Sequence, residues 1–129
     1  MQNGGIATRD FIYVDDIVEG LIRCADAGAP GDVYNLASGN ETTILDLANL
    51  INELTGNATP LAFEPARPWD RSGKRFGSTA KAAQELGFRA EVALRDGLER
   101  TIAWTKQELP LIEACIAKHA ARMETLVPV

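Results

Sequence analysis

The chain has 129 residues and a formal net charge of −5, which is enough for one compact domain with its own core. The acidic balance argues against general nucleic-acid binding, which needs a basic face. No apolar run approaches the roughly 20 residues of a membrane span, and the polar start of the chain does not resemble a signal peptide. These features predict a cytoplasmic protein without a nucleic-acid or membrane partner.

Short strands that alternate with helices are predicted first along the chain. Alternating side chains indicate strands at residues 9–14, 33–36 and 61–64. A helix capped by Asp15 or Asp16 is predicted to reach about residue 27. A second helix, in which Thr43 is the N-cap and Asp46 its capping-box partner, is predicted to reach about residue 55.

Helices dominate the rest of the prediction, after an irregular segment at 65–77. A short helix is predicted to begin at Thr79, another to cover 94–106, and a last one to follow Pro110. The fold class is therefore α/β, a small mixed domain of short strands and about five helices. Because strands this short make a poor sheet by themselves, the pattern indicates a piece that packs against a larger α/β partner.

The two cysteines and the single histidine do not have the spacing of a metal site. Cys24 and Cys115 lie among apolar helical residues without a CxxC motif, so we predict buried free thiols in a reducing compartment. His119 lies in an alanine-rich helical tail, where a surface or packing role is expected. No metal ligands are predicted.

Arginines in loops are the candidates for ligand binding. Arg9 begins the first predicted strand after a Gly-rich loop, and basic residues crowd the 65–77 segment. A guanidinium binds phosphate through two parallel, charge-assisted hydrogen bonds. In the stretch Arg67-Pro68-Trp69-Asp70, the arginine suits a phosphate and Asp70 suits sugar hydroxyls. The alternative is that this loop is only a solvated basic surface.

Recognisable catalytic motifs are missing from the sequence. No strand is followed by the glycine fingerprint of dinucleotide-binding folds, and no tyrosine has a lysine four residues later. Hydrolase, metalloprotease and Walker motifs do not occur either. From these residues alone, we expect no redox or acid–base catalysis by this chain.

Five segments occur in an order that resembles the extended short-chain dehydrogenase/reductase family. They are Thr8–Asp16 ("RDFxYVDD"), Val33–Gly39 ("YNxGxG"), the helix at 43–56, Pro65–Asp70 ("PxRPxD") and Thr79–Phe88 ("SKAxxxLGF"). The order and spacing agree over residues 6–106. The chain looks like the C-terminal, substrate-binding part of an NAD-dependent nucleotide-sugar epimerase or dehydratase, similar to UDP-glucose 4-epimerases.

The resemblance implies a fold and a set of binding residues. It implies an upstream Rossmann domain that holds NAD and is absent here, a nucleotide-sugar-binding domain at residues 1–108, and a helical extension at 109–129 without a counterpart. Arg9 and Arg67 match the arginines that clamp the diphosphate, and Asp70 matches the aspartate that holds the ribose. It assigns no catalytic or cofactor-binding residue to this chain.

Other motif positions are expected to be structural. Tyr13 is expected to provide ring packing, Asp15 helix capping, and Asn35 a side chain that pins its turn. Where many members have aspartate before the "SKA" helix, this chain has Ser78-Thr79, and Ser or Thr caps a helix equally well.

The mechanism that the resemblance implies is oxidation at the sugar C4. A tyrosine takes the hydroxyl proton and NAD takes the hydride, while this domain positions C4. A UDP-hexose 4-epimerase is the first expectation for the parent enzyme, and a 4,6-dehydratase or UDP-glucuronate decarboxylase the second. The chain alone is expected to be inactive and to associate into homo-oligomers through an exposed apolar face. The competing interpretation is a short non-catalytic module that binds a nucleotide-sugar or a partner.

Overall fold

The computed structural model describes residues 1–69 and 73–124. After a 3-10 turn at Asn3–Gly5, the elements in chain order are β1 (Thr8–Asp10), α1 (Val14–Ala27), β2 (Glu41–Thr43), α2 (Ile44–Thr55), β3 (Lys74–Arg75), α3 (Ala80–Glu85) and α4 (Leu94–Glu124). The chain divides into two units, Met1–Leu98 and Glu99–Val129. Within the described ranges, no helix combines the length and apolar character that crossing a membrane requires.

A small sheet lies in the first unit, with β1 as its middle strand. β2 pairs with β1 in antiparallel fashion, with Thr8 opposite Thr43, and β3 pairs with the other edge in parallel fashion. Thr8 is buried, and its hydroxyl donates to the Glu41 carboxylate on the neighbouring strand. Its backbone N–H donates to the carbonyl of Gly73 at 2.9 Å. The backbone of β1 is thus bonded to chain segments on both sides.

The predicted strands agree with this sheet only at its centre. The strand predicted at 9–14 is found as β1, which begins one residue earlier and ends at Asp10. The prediction for 33–36 is wrong, since these residues form no strand. The prediction for 61–64 is also wrong, since Glu64 makes only an isolated bridge with Gln2. A strand needs a continuous run of backbone pairing, and in the described sheet only β1, β2 and β3 have one.

The segment 65–77 was predicted to be irregular, and this is only partly correct. Lys74–Arg75 forms β3, and its two residues pair with Thr8 and Arg9 of β1. The sequence contains no signal for this strand, because its residues are charged and lack the alternation of apolar and polar side chains. Here the pairing needs only the backbone, because both β3 side chains face solvent.

The first helix begins without the side-chain cap that the sequence predicts. Tyr13 occupies the N-cap position, and its side chain makes no capping bond. Asp15 lies inside the first turn, where a carboxylate still suits the positive end of the helix dipole. Asp16 is buried, and its two oxygens accept from the backbone N–H groups of Glu91 and Val92 at 3.2 and 3.1 Å. Asp16 therefore ties α1 to the segment that leads into α4.

The second helix agrees with its prediction. Thr43 is the N-cap, and its hydroxyl accepts from the Asp46 N–H at 2.9 Å and donates to the Asp46 carboxylate at 2.6 Å. The helix ends at Thr55, and Gly56 follows in the left-handed conformation with φ 66°, which glycine adopts without steric cost.

The core of the first unit is small. Among the described residues, the buried apolar side chains are those of Ala82, Leu86 and Phe88, with Ile12, Cys24, Tyr34, Leu36 and Ala90 packed around them. Gly20 allows α1 to approach this cluster, because a Cβ at that position would meet both Leu36 methyl groups at 2.9 Å. Cys24 and Cys115 are free thiols, but Cys24 is only half-buried and Cys115 is exposed. The prediction that both are buried is wrong, because apolar neighbours in sequence do not guarantee packing partners.

The last helix is longer than predicted. Two helices separated at Pro110 were expected, but α4 continues from Leu94 to Glu124 with Pro110 inside it. A proline removes one backbone hydrogen bond and crowds the preceding turn. The flanking leucine, glutamate, lysine and alanine residues favour helix, and the helix continues through this position.

Replacement of Asp16 by alanine tests the tie between α1 and residues 91–92. Asp16→Ala leaves two backbone N–H groups without their acceptor, and we expect the free energy of unfolding to fall by about 1–3 kcal/mol. Asp15→Ala is the matched control, because Asp15 is exposed on the same helical turn. Chemical denaturation of both variants measures the difference. Equal losses would show that only the helix dipole is involved.

Candidate functional site

A cleft of about 210 Å³ lies in the first unit beside the starts of β1, α2 and β3. Its described lining consists of Gln2, Asn3, Ala7, Arg9, Ile44, Ala66, Arg67 and Gly73. Arg9 and Arg67, which are far apart in the sequence, therefore contribute to one cavity. They are also the only charged residues in that described lining.

The Arg9 side chain is held close to the sheet. It extends from the middle strand, is half-buried, and its Nη1 donates to the carbonyl of Thr8 at 2.6 Å. The same nitrogen lies 3.4 Å from the carbonyl of Gly73, the residue just before β3. These contacts place the Arg9 guanidinium near the start of β3, while the Arg9 backbone lies in the strand that is paired on both sides.

Arg67 approaches the cleft from the 65–69 segment and is exposed. The central carbon of its guanidinium, Cζ, lies 5.2 Å from the centroid of the Trp69 ring. Pro68 follows directly, and a proline restricts the preceding residue to extended backbone conformations. Both the backbone and the head group of Arg67 are thus restrained.

The third residue predicted from the sequence, Asp70, lies outside the described residues, as does Arg71. Arg75 is exposed on β3, and the described lining of the cleft does not include it. Arg75 is the register partner of Arg9 in the sheet, but of the described basic residues at 65–77 it is Arg67 that lines the cleft together with Arg9.

Asp10 has a role that the sequence analysis missed. Its Oδ1 accepts from the backbone N–H and the hydroxyl of Ser38 at 2.8 and 2.6 Å, and its Oδ2 accepts from the Gly39 N–H at 2.8 Å. Gly39 has a φ of 78°, so this turn presents consecutive N–H groups that need an acceptor. Two features of the sequence could have indicated this role: the position of Asp10 next to the motif arginine Arg9, and the Ser38-Gly39 turn further along the chain.

The other motif residues are structural, though not always as expected. The Tyr13 ring packs against α4, where a Cβ on Gly97 would lie 3.1 Å from it. Asn35 does not pin its own turn, because its side-chain amide donates to the carbonyl of Ser78 at 3.2 Å. Thr79 is the N-cap of α3 but makes no side-chain capping bond. The Ser78 hydroxyl instead accepts from the Ala80 N–H at 3.4 Å.

A tyrosine and a lysine meet in space although the sequence has no Tyr-x-x-x-Lys motif. The Lys81 ammonium lies 4.6 Å from the centroid of the Tyr34 ring. A hydrogen bond to Asp32, at 3.1 Å, is the main cause of a raised pKa at Lys81. The Tyr34 hydroxyl accepts from the Ala29 N–H and donates to Glu85. The Tyr34 hydroxyl and the Lys81 ammonium therefore both link α3 to residues 29–34, and we assign them a structural role.

A second, more open depression of about 600 Å³ lies along the start of α3. Arg89 is the charged residue in its described lining, which includes neither Arg9 nor Arg67. The residues that the structure describes also bring together no group of three His, Cys, Asp or Glu side chains suited to a metal ion. The Arg9–Arg67 cleft is therefore the better candidate site.

Comparison with known proteins gives consistent matches. The family model of the NAD dependent epimerase/dehydratase family matches residues 1–37. The enzyme WbmF of Bordetella bronchiseptica, solved with NAD+ and UDP, is 56% identical with a TM-score of 0.82 over 95% of this chain and 36% of its own. A UDP-glucose 4-epimerase from Thermotoga maritima, solved with UDP-glucose, is 30% identical with a TM-score of 0.79 over 84% of this chain and 35% of its own. A dTDP-glucose 4,6-dehydratase of Streptomyces antibioticus is 35% identical over 81% of this chain and 31% of its own.

These matches identify the fold and then the family. The fold is a portion of the Rossmann-type epimerases and dehydratases, as the sequence motifs predicted. The chain belongs to the NAD-dependent epimerase/dehydratase family, within the extended short-chain dehydrogenases/reductases. The family is NAD-dependent, and structural relatives have been solved with NAD+ or NADH. The chain spans about a third of the length of these relatives.

Substitution of Asp10 by asparagine tests its hold on the Ser38–Gly39 turn. Each Asp10 oxygen accepts from a backbone N–H, that of Ser38 or that of Gly39. In either orientation of the asparagine amide, its NH₂ group therefore faces one of these donors, and we expect a loss of about 1–3 kcal/mol in the free energy of unfolding. Asp26→Asn, the same change at an exposed position of α1, is the control. Thermal or chemical unfolding compares the two. Equal stability of the variants would contradict the role assigned to Asp10.

Proposed function

We propose that this chain is the nucleotide-sugar-binding portion of an NAD-dependent epimerase or dehydratase, and that Arg9 and Arg67 clamp the diphosphate of the nucleotide-sugar. The observation that carries the proposal is the meeting of these two arginines in one cleft whose described lining contains no acidic residue. Two guanidinium groups supply the planar donor pairs that suit phosphate oxygens.

The size of the cleft supports a role in binding part of a ligand. Pockets that bury a whole small-molecule ligand typically measure about 300–1,000 Å³, and this cleft measures about 210 Å³. A diphosphate needs less room than a complete nucleotide-sugar. We therefore assign the diphosphate to this cleft and the sugar to residues contributed by the rest of a longer parent enzyme.

Asp70 completes the proposed nucleotide site. It follows Arg67 by three positions, and its carboxylate is proposed to accept hydrogen bonds from the ribose hydroxyls. This assignment rests on the match of the Pro65–Asp70 motif to the family. Binding here would orient the nucleotide so that the sugar C4 reaches the reacting groups of the parent, which is a positioning role.

The residues of this chain do not fit NAD. The sequence has no glycine fingerprint, and its one pair of consecutive glycines lies in the Asn3–Gly5 turn. A Cβ on Gly5 would lie 3.1 Å from Leu45, so this glycine provides close packing within the protein and no phosphate cradle. We propose that NAD is bound by another domain of the parent.

A UDP-hexose 4-epimerase is the parent that we propose first. The similarity to structures solved with UDP and UDP-glucose favours a uridine nucleotide. A 4,6-dehydratase or a UDP-glucuronate decarboxylase is the alternative, because relatives with these names match at about the same identity. All three types share a nucleotide diphosphate, which is the group that the cleft is proposed to bind.

An apolar stripe on α1 supports the proposal of a missing partner domain. Val14, Val18, Leu21 and Ile22 follow helical spacing, and each is about half exposed or more. Such a stripe is unusual on an isolated surface. We propose that the Rossmann domain of the parent covers it, and that a second copy covers it when the chain is alone.

Arg67→Ala tests the diphosphate clamp. We expect UDP binding by the chain to weaken by about 2–3 kcal/mol, since a charge-assisted pair is lost. Arg67→Lys should recover only part of this, because a point charge does not replace the two-pronged guanidinium. Isothermal titration with UDP and UDP-glucose should give similar losses for both ligands, because the lost contact is to phosphate.

Arg75→Ala and Arg71→Ala are the controls from the same segment. Each removes one charge and changes the net charge equally, so general electrostatic attraction is matched. If either variant costs more than Arg67→Ala, the clamp is wrongly placed. If the wild-type chain does not bind UDP, or if none of the three substitutions matters, the proposed function is wrong.

The chain alone should not interconvert nucleotide-sugars. It lacks the dinucleotide fingerprint and the Tyr-x-x-x-Lys pair, so we expect no UDP-galactose from UDP-glucose in the presence of NAD. Chromatography of the reaction mixture measures the products, and a complete epimerase of the family is the positive control. Turnover by the purified chain would contradict the proposal that NAD binding and catalysis require another domain of the parent enzyme.

A further inference from the structure

We propose that Trp69 is a positioning residue that holds the Arg67 guanidinium in the orientation that receives a phosphate. This inference rests on the proposed function, in which Arg67 binds the diphosphate. Among the described residues, the lining of the cleft includes Arg67 but not Trp69. Trp69 therefore acts through Arg67.

Packing does not explain the tryptophan at this position. Its side chain is 71% exposed, so it buries little of the area for which tryptophan is usually retained. Its ring centroid lies 5.2 Å from the guanidinium carbon of Arg67, within the range of an attractive cation–π contact. Within the described residues, the contact with Arg67 is the interaction found for this ring.

A cation–π contact with a ring is compatible with phosphate binding. The guanidinium carries five N–H donors, and a bidentate contact with phosphate uses two of them. Donors therefore remain for a phosphate while the ring of Trp69 lies against the cation. Trp69 thus restrains Arg67 without competing for the ligand.

The backbone adds to this restraint. Pro68 lies between the two residues and keeps Arg67 out of the helical conformation, while its own φ is restricted. With both the backbone and the head group restrained, Arg67 loses less conformational freedom when a ligand binds. Arg9 is restrained differently, through the carbonyls of Thr8 and Gly73. The two arginines would therefore respond independently to substitution of Trp69.

Substitution at Trp69 tests the inference in the full 129-residue chain. Trp69→Leu keeps an apolar side chain and removes the aromatic face, and we expect the Kd for UDP to rise about two- to fivefold, the effect of an exposed cation–π contact. Trp69→Phe keeps a weaker aromatic face, so its Kd should lie between those of the wild type and Trp69→Leu. Isothermal titration measures all three. An unchanged or lower Kd in Trp69→Leu would overturn the inference, because the ring would then be idle or would compete with the ligand.

A double-mutant cycle separates positioning from direct contact. In the Arg67→Ala background, Trp69→Leu should change the Kd no further, because the group that it positions is gone. Inorganic pyrophosphate, which has no base or sugar, should show the same ratio of Kd between wild type and Trp69→Leu as UDP does. A Trp69 effect that persists without Arg67, or that appears only with UDP, would show that the ring contacts the nucleotide itself and would overturn the inference.

The outcomes distinguish the inference from the function on which it rests. If Arg67→Ala leaves UDP binding unchanged, the proposed function fails at this site. If Arg67→Ala weakens binding and Trp69→Leu does not, the clamp stands and only the positioning role fails. The melting temperature of Trp69→Leu should equal that of the wild type, since the ring is exposed, and this excludes misfolding as the cause of weaker binding.

Discussion

The pairing of β1 on both of its edges is the constraint on which the candidate site depends. β1 is only three residues long, yet β2 pairs with one edge and β3 with the other. Each neighbouring strand belongs to a separate part of the chain, and each leads to or from a residue that lines the cleft. Without these two ladders, Ile44 and Gly73 would have no reason to lie beside Arg9.

The two halves of the proposed clamp are built in different ways. Arg9 extends from paired backbone and is held by carbonyl oxygens, whereas Arg67 lies in an irregular segment, beside a proline and in a cation–π contact with a ring. A strand residue costs little to order on binding, because folding has already restricted it. A loop residue has a similarly low ordering cost only where local contacts already restrict it. In the stretch Arg67-Pro68-Trp69, we assign this restriction to the proline and the aromatic ring.

Much of the family motif maintains the fold. Asp10 closes a distant turn and Asp16 binds the backbone of residues 91–92, so two carboxylates of the same motif accept hydrogen bonds from backbone N–H groups of distant segments. Buried or partly buried N–H groups are costly without such partners. A motif that looks like a binding signature is therefore mainly a set of structural bonds around one arginine that lines the cleft.

The sequence by itself determined the family, the helix from Thr43 to Gly56, the start of the short helix after Thr79, and the candidate arginines. These depend on local patterns: capping pairs, apolar periodicity and motif order. Only the tertiary structure decided that 33–36 forms no strand, that Lys74–Arg75 does, and that α4 continues through Pro110. Strand formation depends on which backbone edges are free after folding, and the partners of Asp10, Asp16 and Asn35 are 28 or more residues away. The shared cleft of Arg9 and Arg67 likewise lies between pairings that are distant in sequence, that of β1 with β3 and that of Gln2 with Glu64, and neither gives a local signal in the sequence.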